Sequence, residues 1–321
     1  MRLWGGCALA LALVLTASCD DAARGDTAMA SLAGGSSAPI TSHLELRDEM
    51  RRLWTERGVW LREALFDEVA GEAARERLDR NEVELRRAMR PFVGDRAADD
   101  LLAVPEHDAA RDPFALDDRM NETADAMTEA LETLRPDLVS SEDALDARAE
   151  ALHVDLRRLW QRHLIASRWC GADLDEPSAF VVERALGDFA ALADALGPSG
   201  STAFVALLRE HTRIEGAVLR AARNGRGAPS ESVLEAWYAN ADAIAAGFAR
   251  AVPAPPFESI RRMLRAHIDR TVAEAEARAD RDGEREVAAY DESAHQLFDL
   301  ADALSAGLSK REPPPGWDQA R

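Results

Sequence analysis

Between Leu44 and Leu308 apolar residues recur every three to four positions on a background of Ala, Leu, Glu and Arg, and runs of strict alternation are absent. A repeat near 3.6 residues places one apolar stripe on each helix, so the pattern predicts amphipathic helices packed as bundles. Ser42-His43-Leu44-Glu45 has the spacing of a capping box, in which hydroxyl and carboxylate each accept a free backbone N–H at a helix start. Gly71, Gly94, Pro113, Pro136, Gly197-Pro198, Pro229, Pro253 to Pro256, Gly283 and Pro313 to Pro315 mark breaks. The expected fold is all-α, with roughly ten helices of ordinary length.

The pattern also repeats. Arg51-Arg52-Leu53-Trp54 returns as Arg157-Arg158-Leu159-Trp160, and Glu106-His107-Asp108 is echoed at nearly the same offset by Glu210-His211-Thr212. A weaker echo pairs Ala124-Asp125-Ala126-Met127 with Ala241-Asp242-Ala243-Ile244. Internal similarity of this kind predicts a duplication. Two helical-bundle units are expected, a shorter and degenerate one over 42–138 and a complete one over 139–311, followed by a tail over 312–321.

The first residues break the helical pattern. Met1-Arg2-Leu3 and an apolar run through Val14 and Leu15 end in Thr16-Ala17-Ser18-Cys19. That is the basic start, short apolar middle and small-residue end of a secretory signal over 1–18, and it falls short of the roughly 20 apolar residues a membrane span needs. Leu15-Thr16-Ala17-Ser18-Cys19 resembles the lipobox of bacterial lipoproteins, with Thr16 where that motif usually carries Leu; the resemblance implies acylation of Cys19. Small and polar residues over 19–41 then predict a flexible tether. The expected location is the cell envelope, with the body in the periplasm and acyl chains in the membrane. Cleavage at Ala28-Met29-Ala30 would instead leave a soluble periplasmic protein.

Charge narrows the partners. The chain carries a formal net charge of −19, which becomes −20 once residues 1–18, whose only charged side chain is Arg2, are removed. An acidic body lacks the basic patches that nucleic acid or anionic lipid requires. Of the three cysteines, Cys7 leaves with the signal and Cys19 takes the lipid, so Cys170 has no partner for an intramolecular disulfide and fits a small core position.

Several stretches resemble an uncharacterised family of bacterial all-helical envelope proteins: Leu53-Trp54 with Trp60, Arg90-Pro91-Phe92-Val93-Gly94, Leu159-Trp160 with His163, Glu210-His211, Trp237 to Ile244, Met263-Leu264 with His267, and Tyr290-Asp291. The resemblance implies architecture and no activity. The first unit departs from the pattern, with Arg57 where the second keeps His163.

Candidate chemistry lies on the apolar seams. Leu152, Leu156, Leu159, His163, Ala166 and Cys170 form one; Phe204, Leu207, His211, Ile214 and Val218 a second; Ile260, Leu264, His267, Thr271 and Glu274 a third. Three histidines on three helices thereby face shared interior, with Glu210 beside His211 and Glu274 two turns after His267 as candidate carboxylates. Imidazole with carboxylate suits zinc or a transition metal, and bundle interiors are where helical proteins assemble such sites. The same residues also satisfy a buried polar network or an organic-ligand pocket. Two further stripes, Val233, Trp237, Asn240 or Ala241, Ile244, Phe248 and Val287, Tyr290, Ala294, Leu297, Ala301, Leu304, fit core packing with Asn240 hydrogen-bonded internally. No HExxH, nucleophile elbow, phosphate loop or haem-attachment motif is present. Two functions are expected on these grounds: a non-catalytic envelope lipoprotein with a structural role or an envelope protein partner, and alternatively a metal-binding bundle using His163, His211 and His267 with Glu210 or Glu274.

Overall fold

The computed structural model describes residues 39–67, 69–102, 113–141, 145–170, 187, 201–252 and 255–310. The signal segment, Cys19, most of the tether, the Glu106-His107-Asp108 echo, the side chain of Cys170 and the tail lie outside the described residues. The protein is all-helical: among the described residues eight helices form, and the only pairing of strand type is an isolated bridge between Ser42 and Ser140. The helices are α1 (His43–Phe66), α2 (Gly71–Leu102), α3 (Pro113–Leu134), α4 (Ala147–Cys170), α5 (Ser201–Arg223), α6 (Glu231–Ala251), α7 (Phe257–Ala279) and α8 (Gly283–Leu308). None is long and apolar enough to cross a membrane.

Most of the punctuation acts where the sequence puts it. Ser42 caps α1, its hydroxyl accepting from Glu45 N at 3.2 Å while Glu45 Oε2 accepts from Ser42 N at 3.2 Å. Pro113 opens α3, where its missing N–H has no partner to lose, and Pro256 is the N-cap of α7. Gly94 behaves differently from an end: it is a kink inside α2, with φ +77° and ψ 169°, three residues after Pro91. Only glycine adopts that dihedral pair without a steric penalty.

The chain divides into two compact units, Met1–Asp67 with Ala74–Ala144 and Glu68–Ala73 with Leu145–Arg321. In the first, α1 packs along α3 and α2 closes over them around Leu46, Met50, Leu53, Met89, Leu116, Met120 and Leu131. In the second, α8 packs against α4 and α7, and α5 against α4, α6 and α7. The first arginine of each Arg-Arg-Leu-Trp stretch binds an aspartate. Arg51 clasps Asp125 through two bonds of 2.6 and 2.7 Å, and Arg157 clasps Asp302 through two of 2.7 and 2.6 Å.

Candidate metal centre

The site grows out of three seams of the second unit. On α4, Leu152, Leu156, Leu159 and Ala166 bury one stripe, and His163 lies within it. On α7 the stripe is Ile260, Leu264, His267 and Thr271. On α5 it runs Phe204, Leu208, His211, Glu215, Leu219 and Ala222, so that two polar residues four apart interrupt an apolar face. Side chains at i and i+4 of a helix stand one above the other, which aims His211 and Glu215 at the same space.

His163, His211, Glu215 and His267 converge there. One donor atom from each lies within 4.8 Å of all the others. Glu215 stands between two of the imidazoles, its Oε2 3.2 Å from His163 Nε2 and its Oε1 3.6 Å from His267 Nε2. The three rings form a nearly equilateral triangle, with centroids 5.5, 5.9 and 6.0 Å apart. For a tetrahedral ion bound at about 2.0–2.1 Å the donors sit roughly 3.3 Å from one another, a separation that Glu215 Oε2 and His163 Nε2 already have at 3.2 Å. All four residues are sealed, with exposures of 2, 4, 1 and 0 %.

Burial governs their protonation. It drives the His163 imidazole down to about 3, with His211 beside it adding to the fall. It drives His211 down to about 4, against the Asn240 hydrogen bond. His267 is held well below its ordinary value by burial and then by the other two rings and Arg270. Glu215 goes the other way, pushed up to about 8 by burial, with the Ser167 hydroxyl opposing and the Glu274 carboxylate adding. Near neutral pH the group is therefore three neutral imidazoles, the form that ligates metals, and one carboxylic acid. An ion entering the group would expel the Glu215 proton, and the resulting carboxylate offsets part of the metal's charge in a medium that solvates charge poorly.

Supporting groups come from the remaining helices. His211 Nδ1 lies 3.0 Å from Asn240 Oδ1 on α6, and Asn240 Nδ2 donates to Leu207 O at 3.0 Å. His267 Nδ1 lies 3.1 Å from Ser293 Oγ on α8. Ligating histidines are commonly held in this way through their second nitrogen.

Of the expected residues, the structure brings His163, His211 and His267 together and leaves the two acids elsewhere. Glu210 is exposed and pairs with Arg213 at 2.6 Å. Glu274 is buried but binds Arg168 at 2.6 Å. The carboxylate of the group is Glu215, legible in principle from the His-x-x-x-Glu spacing on one apolar stripe. No known protein family, no characterised protein and no solved structure matches the chain.

Proposed function

We propose that this chain is a metal-binding helical protein of the bacterial envelope, whose second unit holds one divalent ion of the zinc class between His163, His211, Glu215 and His267. The convergence of four sealed donors from three helices carries the proposal. Three imidazoles and a carboxylate match zinc and its neighbours better than magnesium or calcium, which take oxygen donors. Four protein donors complete a tetrahedron and leave no coordination position for a substrate, so the role is holding the ion, and with it the unit, rather than metal-centred catalysis.

Metal analysis of untagged protein purified without chelator is expected to find stoichiometric zinc or a related ion. His163→Ala, His267→Ala and Glu215→Gln should each lower the content at least tenfold. Metal-free protein, or content indifferent to all three substitutions, would leave the group a buried polar network.

Export and lipid anchoring at Cys19 belong to the same proposal and rest on the sequence of residues 1–19 alone. Cys19→Ala should move the protein from the membrane fraction to the soluble periplasm. We also attribute the two units to duplication, supported by the repeated Arg51-Arg52-Leu53-Trp54 and Arg157-Arg158-Leu159-Trp160, whose first arginine binds an aspartate in each unit. In that alignment Arg57 of the first unit occupies the place of His163, which confines the metal centre to the second.

A further inference from the structure

As a packing stripe, the Trp237 to Ile244 segment needs only apolar residues. Trp237 and Asn240 nonetheless reach His211. Building on the proposed metal-binding function, we infer that Asn240 on α6 is the positioning residue of His211: its side chain fixes which ring nitrogen can bind an ion, while the Trp237 indole one turn before it packs over the face of the ring.

The assignment follows from what each group can donate. Asn240 has one oxygen and one amide, and the amide donates to the backbone carbonyl of Leu207 at 3.0 Å. Its oxygen is therefore the atom that faces His211, and an amide oxygen only accepts. His211 Nδ1, 3.0 Å away, must carry the proton. The ring is neutral, so its one lone pair is on Nε2. Trp237 Nε1 lies 3.2 Å from Nδ1 and 3.3 Å from Nε2, near-equal distances that place the indole N–H over the face of the ring and leave the in-plane Nε2 lone pair open to an ion. Ser293 offers His267 no such certainty, because a hydroxyl donates or accepts as required. Asn240 and Trp237 are both buried, so water does not compete for the Asn240 bond.

Asn240 thus favours the liganding form of His211. A residue that merely packs would tolerate an apolar side chain of the same volume, whereas this one would not.

The test is a cobalt(II) titration of the full chain in its metal-depleted form, following the visible absorption of four-coordinate cobalt, with zinc competition for affinity. Asn240→Leu, which keeps the volume and removes the acceptor, should weaken binding about 10–100-fold, the usual effect of losing a supporting bond to a ligating histidine. Asn240→Asp keeps an acceptor and should stay within about threefold of the parent protein. If Asn240→Leu fails to fold, the Asn240→Asp arm decides. Asn240→Leu binding as tightly as the parent protein, or Asn240→Asp as impaired as His211→Ala, overturns the positioning role. If His211→Ala and His163→Ala leave the cobalt spectrum unchanged, or the parent protein binds no cobalt, the metal centre itself fails.

Discussion

Arg281 holds φ at +59°, the left-handed region that side chains with a Cβ enter at a penalty. It does so to end α7: Asp282 N donates to Ala277 O at 2.8 Å and Arg281 N to Arg278 O at 3.0 Å, the paired bonds of a Schellman cap. α5 ends with the same two bonds around Gly225, φ +71°, where the geometry needs no strain. Replacing Arg281 with Gly should stabilise the protein by about 1 kcal/mol, read as a raised urea midpoint at unchanged slope. A neutral or negative effect would show that the Arg281 side chain contributes more than its backbone strain removes. The residue scale also explains which acids the sequence misassigned. Glu210 is adjacent to His211 and therefore about 100° around the helix, on the exposed face, where Arg213 takes it. Glu274 shares the seam of His267 but sits about 10 Å further along the axis, level with Arg168. Glu215, four residues after His211, satisfies both direction and height.

At the scale of elements, seams were legible and partners were not. The 3–4 spacing marks Leu152, Leu156, Leu159 and His163 as one buried line, because periodicity depends only on helix geometry. Which helix faces that line depends on tertiary packing, which no local pattern encodes; so the supporting roles of Asn240 and Ser293 emerge only in three dimensions. Arg168 is a case in point. It lies near the end of α4 and reaches Glu274 on α7 at 2.6 Å and Glu286 on α8 at 2.9 Å, with its guanidinium 5.1 Å above the Tyr290 ring. Arg168→Met would leave two buried carboxylates short of a counter-ion, and the expected loss is about 3–5 kcal/mol in chemical unfolding. A loss under about 1 kcal/mol would mean that Arg278 alone suffices for Glu286 and that Glu274 reaches water.

For the whole molecule, the buried His–Glu group predicts a pH profile whose sign follows from its four members. Unfolded, the histidines take up protons below 6.5; folded, His163 and His211 do so only near 3 and 4, and His267 is also held low. The unfolded chain then binds more protons, so stability rises with pH up to about 6.5. Glu215 acts oppositely: its carboxyl ionises near 4.5 when unfolded and near 8 when folded, so its contribution falls as pH rises between those values. Where the ranges overlap, three histidines outweigh one glutamate. Metal-depleted protein should therefore melt highest near pH 6.5 and lose stability towards pH 8, while Glu215→Gln removes the decline. With zinc bound the decline should also vanish, because the ion has already taken the proton's place. A profile flat from pH 6.5 to 8 in both the parent and Glu215→Gln would contradict a protonated Glu215.

The sealing of His163, His211, Glu215 and His267, none more than 4 % exposed, has a kinetic consequence. A chelator in solution cannot touch an ion held there until the helices part. Release should accordingly be first order in protein and level off as chelator concentration rises, at the rate with which the second unit opens. The dwell time of an ion bound there would then measure how often the bundle breathes, and any substitution that loosens α4, α5 or α7 would shorten it in proportion, even far from the donors.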